Sequence, residues 1–148
     1  MTNRQKLALV LGACMALAGT TTEAAAFGAL VIGQPTDIGK DGFAMGYSYN
    51  QPSLDVAENT AMQKCLGFQD ASADVRALCT LVMPFSHRCL SIAFDPQVDT
   101  YGLGWAISDT QDAADEEAMA RCRSTSTADR AQFCEFRAQQ CDVGTGSQ

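Results

Sequence analysis

The chain has 148 residues, of which 47% are hydrophobic, and its formal net charge is −7 at pH 7. Such an acidic balance disfavours binding to nucleic acids and to anionic lipid surfaces, because both attract proteins through Lys and Arg. The length allows one domain with a modest core and is too short for two domains once an N-terminal leader is removed.

The N-terminal segment has the pattern of a signal peptide. Arg4 and Lys6 precede an apolar stretch from Leu7 to Ala18, and Ala24-Ala25-Ala26 supplies the small residues that signal peptidase needs. We therefore predict a signal peptide at residues 1–26 and a mature protein that is periplasmic or secreted. The apolar stretch is shorter than the roughly 20 residues that a membrane span needs, so we predict no membrane span.

A lipid anchor is the alternative interpretation of this leader. Leu11-Gly12-Ala13-Cys14 would be a lipobox with Cys14 as the acylated residue. The apolar run continues past Cys14 to Ala18, whereas an anchored protein usually turns polar there, and this disfavours the anchor. Both interpretations export the protein. Loss of the leader leaves 8 basic and 16 acidic residues, a net charge of −8 that would steer a basic partner towards the protein.

The first predicted strand, Phe27–Gly33, is mostly apolar, and a loop rich in Asp and Gly separates it from the second, Phe43–Tyr49. The second strand alternates between large and small residues, which is typical of a strand with one large-residue face. Gly46 lies on the small face, where it indicates a bulge or a close approach of another backbone.

A helix is predicted after Ser53, a good N-cap residue. Ala57, Ala61 and Cys65 recur every four residues and therefore share one face of this helix. Their small size predicts that the helix packs closely against the large-residue face of the sheet. Cys65 would then point inwards, where another cysteine can reach it.

The same series of elements then repeats. Its predicted members are the strands Leu78–Phe85 and Cys89–Phe94, the alternating strand Tyr101–Ile107, a helix after Thr110 with the stripe Ala114, Ala118 and Cys122, and the strand Phe133–Ala138. Gly104 corresponds to Gly46, and Cys122 corresponds to Cys65. We predict a disordered tail at 144–148.

This duplication predicts the fold class. We expect an α+β fold made of an internally duplicated ββαβ unit, with about six strands in antiparallel sheet, two helices and disulfide bonds. The single domain would span 27–143, with a first repeat at 27–84 and a second at 85–143. No flexible linker separates the repeats, so they should share one core.

Six cysteines remain without Cys14, and an exported chain favours their oxidation to disulfides. Symmetry between the repeats selects among the many possible connectivities. It ties each helix end to the strand that follows it and leaves two cysteines to join across the repeat axis. The predicted bonds are Cys65–Cys79, Cys122–Cys134 and Cys89–Cys141.

Evidence for catalysis or metal binding is weak. Cys79, His87 and Cys89 are close in sequence, but the chain has no Cys-x-x-Cys pair, so we predict neither a zinc site nor a thiol redox centre. His87 is the only histidine, and its neighbour Ser86 is badly placed for a catalytic triad. We predict that the protein is not an enzyme and has no cofactor.

Five residues form a candidate binding surface. Asp112, Asp115 and Glu116 could act as paired carboxylates in glycoside hydrolysis, but acidic residues early in a helix are more often solvated and complement the helix dipole. Tyr47 and Trp105 occupy matching positions in the two repeats. They could line two aromatic clefts related by pseudosymmetry or anchor the core.

The sequence resembles the family called domain of unknown function 4189 over 27 to 141. The resemblance rests on Gly-Tyr-Ser-Tyr-Asn-Gln-Pro-Ser at 46–53, on Gly-Leu-Gly-Trp-Ala at 102–106, and on the order of the six cysteines. It implies a small exported bacterial protein built from duplicated strand-strand-helix units. It supplies no catalytic residues.

Three functions follow as hypotheses. The first is an exported, non-enzymatic, disulfide-stabilised domain that binds another protein, for example as an inhibitor of a basic cell-wall hydrolase. The second is a secreted effector that acts on a host or competitor cell. The third is a hydrolase that uses Asp112 or Glu116 and would need a pocket converging on those carboxylates.

Overall fold

The computed structural model describes residues 26–97 and 99–142. The predicted signal peptide up to residue 25, the alternative lipid anchor at Cys14 and the predicted tail at 144–148 lie outside the described residues.

Six strands and two long helices make up most of the described chain, and all strand pairs are antiparallel. The strands are β1 Phe27–Gly33, β2 Ala44–Gln51, β3 Cys79–Ser86, β4 Cys89–Phe94, β5 Leu103–Ser108 and β6 Glu135–Cys141. The helices are α1 Ile38–Asp41, α2 Leu54–Leu66, α3 Ala73–Arg76 and α4 Gln111–Thr125, with a short 3-10 turn at Ala131–Phe133. The predicted α+β class is confirmed.

The strands form two sheets with equivalent connections. One has the order β2-β1-β3 and the other the order β5-β4-β6. Each sheet therefore comes from one ββαβ unit, as the duplication predicts. Strand β3 continues to Ser86, so the predicted division between residues 84 and 85 falls inside this strand.

Two predicted strands begin two residues too early. Tyr101 precedes β5, which begins at Leu103, and the N–H of Asp95 donates to the carbonyl oxygen of Gly102 at 2.9 Å just outside the β4–β5 ladder. Phe133 belongs to the 3-10 turn, where its N–H donates to the carbonyl oxygen of Arg130 at 2.9 Å. Its ring also lies 4.2 Å from the Arg130 guanidinium, a cation–π contact that favours the turn.

The large-residue faces of the two sheets pack against each other. Leu30, Leu90 and Ile92 are almost completely buried there, together with side chains from both repeats. The buried side chains of the two repeats therefore form one cluster between the sheets.

The predicted packing of the helices was wrong in one respect. Helix α2 covers the small-residue face of its sheet, where Ala44 and Gly46 lie, while Met45 points into the core between the sheets. The physical reason is distance: a Cβ atom on Gly46 would overlap the carbonyl oxygen of Ala61 and the amide nitrogen of Cys65. The helix can approach so closely only where the sheet carries small residues, and this confirms the close approach predicted at Gly46.

Helix α4 repeats this arrangement on the second sheet. A Cβ atom on Gly104 would overlap the carbonyl oxygen of Ala118 and the amide nitrogen of Cys122. The predicted N-caps are also present, because Ser53 and Thr110 each accept the amide N–H three residues ahead at 3.3 Å. The order of layers is therefore helix, sheet, sheet, helix.

The described residues contain three disulfides, and their pairing is the predicted one: Cys65–Cys79, Cys122–Cys134 and Cys89–Cys141. The expectation that the third bond joins the two halves was wrong. Cys89 and Cys141 are opposite each other on β4 and β6, within the second sheet. The reason is that β4, which carries Cys89, opens the second repeat. Phe27 and Ser86 form the corresponding pair of the first sheet.

Candidate functional site

Tyr47 and Trp105 have matching environments on β2 and β5. The Nζ atom of Lys64 donates to the carbonyl oxygen of Tyr47 at 2.9 Å and lies 5.5 Å from the centre of its ring. In the second repeat, Nη1 of Arg121 donates to the carbonyl oxygen of Trp105 at 2.9 Å, and the guanidinium lies 5.2 Å from that ring. Each helix thus places a cation over one aromatic residue of its sheet.

A cleft opens beside each of these aromatic rings. The cleft at Tyr47 has a volume of about 480 Å³ and that at Trp105 about 420 Å³. Both rings are half-buried and also contact the core between the sheets. Each aromatic residue therefore belongs to the core with one part of its ring and lines a cleft with another.

The clefts differ in charge. Arg121, in the Trp105 cleft, forms an ion pair with Glu117 at 2.5 Å, one turn earlier on α4. The Tyr47 cleft contains Lys64 and a second cation, Arg137 from β6. The Trp105 cleft is consequently close to neutral, whereas the Tyr47 cleft is cationic.

The three predicted acidic residues do not converge. Asp112 and Glu116 are exposed on α4. Asp115 instead turns towards β4 and β6, where it accepts hydrogen bonds from Ser91 and, at 2.5 Å, from Gln139. Neither of the aromatic clefts is lined by any of these carboxylates, and the arrangement gives no support to a paired-carboxylate hydrolase.

His87 lies in the turn between β3 and β4 with a positive φ of 52° and is exposed. Cys79 and Cys89, its partners in the alternative zinc hypothesis, are both bonded in disulfides. They offer no thiolate to a metal. Among residues 26–97 and 99–142, no group of three or more metal-ligating side chains is present.

Asp142 is a fully buried carboxylate near this turn. Its Oδ1 accepts the backbone N–H of Asn50 at 2.6 Å, and its own N–H donates to the carbonyl oxygen of Arg88 at 2.8 Å. Oδ2 is buried without a hydrogen-bond partner among the described residues. Burial raises the pKa of Asp142, and the backbone N–H groups of Asn50 and His87 only partly offset this effect.

The raised pKa of Asp142 predicts how Asp142→Asn alters stability. The native protein binds the proton more tightly than the unfolded chain, so its free energy of unfolding falls as pH rises from the unfolded pKa of about 3.9 to the raised native pKa. The neutral Asn has no such cost, so the variant should gain stability relative to the native protein across this window. Urea unfolding of both proteins from about pH 3.5 to pH 8 measures the difference. A difference that does not change with pH would contradict the prediction.

Strand β3 carries a surface that the sequence analysis missed. Leu81, Val82 and Met83 are consecutive, and their exposed fractions are 40%, 37% and 41%. They lie at an edge of the first sheet, since β3 pairs with β1 alone among the described strands. We name these three residues the β3 apolar edge.

Comparison of the two repeats shows that the fold does not require this apolar edge. Val82 is an extra residue opposite the Leu30/Val31 step of β1, and Arg137 is the extra residue at the matching step of β4. The same bulge position in the second sheet is therefore occupied by a charged side chain. The contrast between Leu-Val-Met and Phe-Arg-Ala could have been read from the sequence once the strands were aligned.

No helix in the described part of the chain is long and apolar enough to cross a membrane. The three disulfides fit a protein that works outside the cytoplasm.

A protein-family model described as Domain of unknown function (DUF4189) matches residues 27–141, which cover both sheets and all three disulfides. No curated protein and no solved structure matches the chain.

Proposed function

Since the chain belongs to the DUF4189 family, whose description names no activity, we propose its function from its surface: an exported, non-enzymatic domain that binds a basic protein through the β3 apolar edge. The observation that carries this proposal is the exposure of three consecutive large apolar side chains on an edge strand. Contiguous apolar surface of this kind marks protein interaction sites.

A partner would bind the β3 apolar edge through side-chain contacts and not by adding a strand to the sheet. Pro84 directly follows Met83 on the same strand and has no N–H to donate to an added strand. The bulge at Val82 further interrupts the regular ladder. A partner with a complementary apolar patch suits this edge better than an extended peptide.

Charge favours a basic partner over a second copy of the chain. Strand β3 has no charged residue, so the apolar contact itself carries no repulsion. The remaining surface belongs to a mature chain with a net charge of −8, which repels an identical copy and attracts a cationic protein.

A concrete form of this function is inhibition of a basic cell-wall hydrolase. The exposed carboxylates Asp112 and Glu116 on α4 add to the acidic surface that such an enzyme would meet. Lysozyme is a suitable probe, and residual lysis of cell-wall substrate is the readout. Absence of inhibition at micromolar concentration would end the hydrolase-inhibitor proposal.

The variant Val82→Arg tests the binding surface, because it copies the residue that the second repeat already carries at this position. We expect the fold to remain intact by thermal unfolding, and we expect lysozyme affinity measured by calorimetry to fall about tenfold through lost apolar contact and added like charge. Leu66→Arg is the matched control: it also replaces an exposed apolar residue with the residue found in the other repeat, Arg123, but on α2.

Two results would contradict the proposed site. Equal loss of affinity in Val82→Arg and Leu66→Arg would indicate a general charge effect. Sedimentation showing a native dimer that Val82→Arg dissociates would assign the β3 apolar edge to a second copy of the chain instead.

A further inference from the structure

We propose that the cleft at Tyr47 is a binding site for a small organic anion with an apolar or aromatic body. Six residues line this cleft: Met45, Gly46, Tyr47, Lys64, Phe68 and Arg137. None of them is acidic, and two are cations, although the mature chain carries twice as many acidic as basic residues. The cleft is therefore a local exception to the charge of the molecule.

Both cations retain hydrogen-bonding capacity. Lys64 is exposed, and its ammonium donates to the carbonyl oxygen of Tyr47 at 2.9 Å, which leaves two of its three N–H groups available. Arg137 is exposed, and its guanidinium forms no hydrogen bond or ion pair with any side chain or backbone group in the described ranges. A carboxylate held between them would accept charge-assisted hydrogen bonds from both.

The walls of the cleft suit an apolar ligand body. Tyr47 and Phe68 are half-buried aromatic residues, and Met45 supplies a flexible thioether side chain at the base. The volume of about 480 Å³ lies within the range of small-molecule sites. An anion without an apolar body, such as inorganic phosphate, would leave these walls unfilled.

The carboxylates near each cleft favour anion binding at the Tyr47 cleft over the Trp105 cleft. In the Trp105 cleft, Arg121 is already neutralised by Glu117. Arg137 also borders a second cleft that contains Asp70, Asp95 and Asp99, but Asp95 is bonded to Arg130 at 2.6 and 2.8 Å. Asp70 and Asp99 line that second cleft and are absent from the lining of the cleft at Tyr47.

The test is an NMR titration of the whole mature protein with 3-phenylpropanoate as the probe. Its neutral isostere 3-phenylpropanamide and inorganic phosphate are titrated in parallel. We expect saturable chemical-shift changes at Tyr47, Lys64 and Arg137 with the carboxylate, and much weaker changes with the amide or with phosphate. Lys64→Gln and Arg137→Gln should each weaken binding about fivefold.

The variant Arg121→Gln is the matched control and should leave the affinity unchanged, because it removes the cation of the other cleft. Arg137→Gln keeps the experiment decisive even if Lys64→Gln perturbs β2, since the Arg137 guanidinium forms no hydrogen bond or ion pair in the described ranges. Equal binding of the amide, shifts confined to the Trp105 cleft, or unchanged affinity in Arg137→Gln would each overturn the proposal. Its failure would not affect the β3 apolar edge, which shares no residue with this cleft.

Discussion

Replacing Cys89 and Cys141 together with Ser is expected to lower the free energy of unfolding by about 4 kcal/mol. The bond between them spans a sequence separation of 52 residues, against 14 and 12 for the other two. In the chain-entropy account, a longer closed loop restricts the unfolded chain more, so this bond should stabilise the protein most. Denaturant unfolding under oxidising conditions measures the loss.

The double variant of Cys122 and Cys134 is the matched comparison. Its shorter loop predicts a loss of about 3 kcal/mol from chain entropy. A larger loss than in the Cys89 and Cys141 variant would contradict this ranking and would show that packing of the fully buried Cys122 under α4 outweighs loop length.

Gly46→Ala is expected to lower the free energy of unfolding by about 3 kcal/mol or more. The added methyl group would overlap the backbone of Ala61 and Cys65, and helix backbone cannot rotate away as a flexible side chain can. Helix α2 would have to move away from the sheet, which would loosen the packing of Ala57 and Ala61 against Ala44. Gly104→Ala should have an effect of similar size, because α4 repeats the contact.

Gly67→Ala is the control for these substitutions. At this helix end an added Cβ would lie 3.2 Å from the carbonyl oxygen of Gln63, a tight contact that a small shift relieves. We expect a loss below about 1 kcal/mol. Equal losses at Gly46 and Gly67 would show that the helices are not held against the sheets by glycine.

The duplication made much of the fold predictable. Alignment of the matching glycines and cysteines predicted the positions of the strands and of both long helices, and symmetry between the repeats predicted the three disulfide pairs. The face on which the helices pack was predicted wrongly, because periodicity shows that a strand has two different faces but not which partner covers each. Only the distances at Gly46 and Gly104 decide that question.

The candidate sites were less predictable for a similar reason. The run from Leu81 to Phe85 reads as a buried strand, and only sheet order reveals that β3 is an edge. Arg137 joins Tyr47 in one cleft although the two are far apart in sequence and belong to different sheets. Tyr47 and Trp105 were recognised from their matching positions, but the charges around them depend on how the sheets stack.

The most direct test of the account is peptide mapping without reduction, carried out on mature protein isolated from the cells that produce it. Two copies of one unit, each closed by its own helix-to-strand bond, predict peptides linked as Cys65–Cys79, Cys122–Cys134 and Cys89–Cys141, with no free thiol. A folded protein with six free thiols, or with Cys89 linked to Cys65 or Cys79, would contradict both the architecture and the exported location.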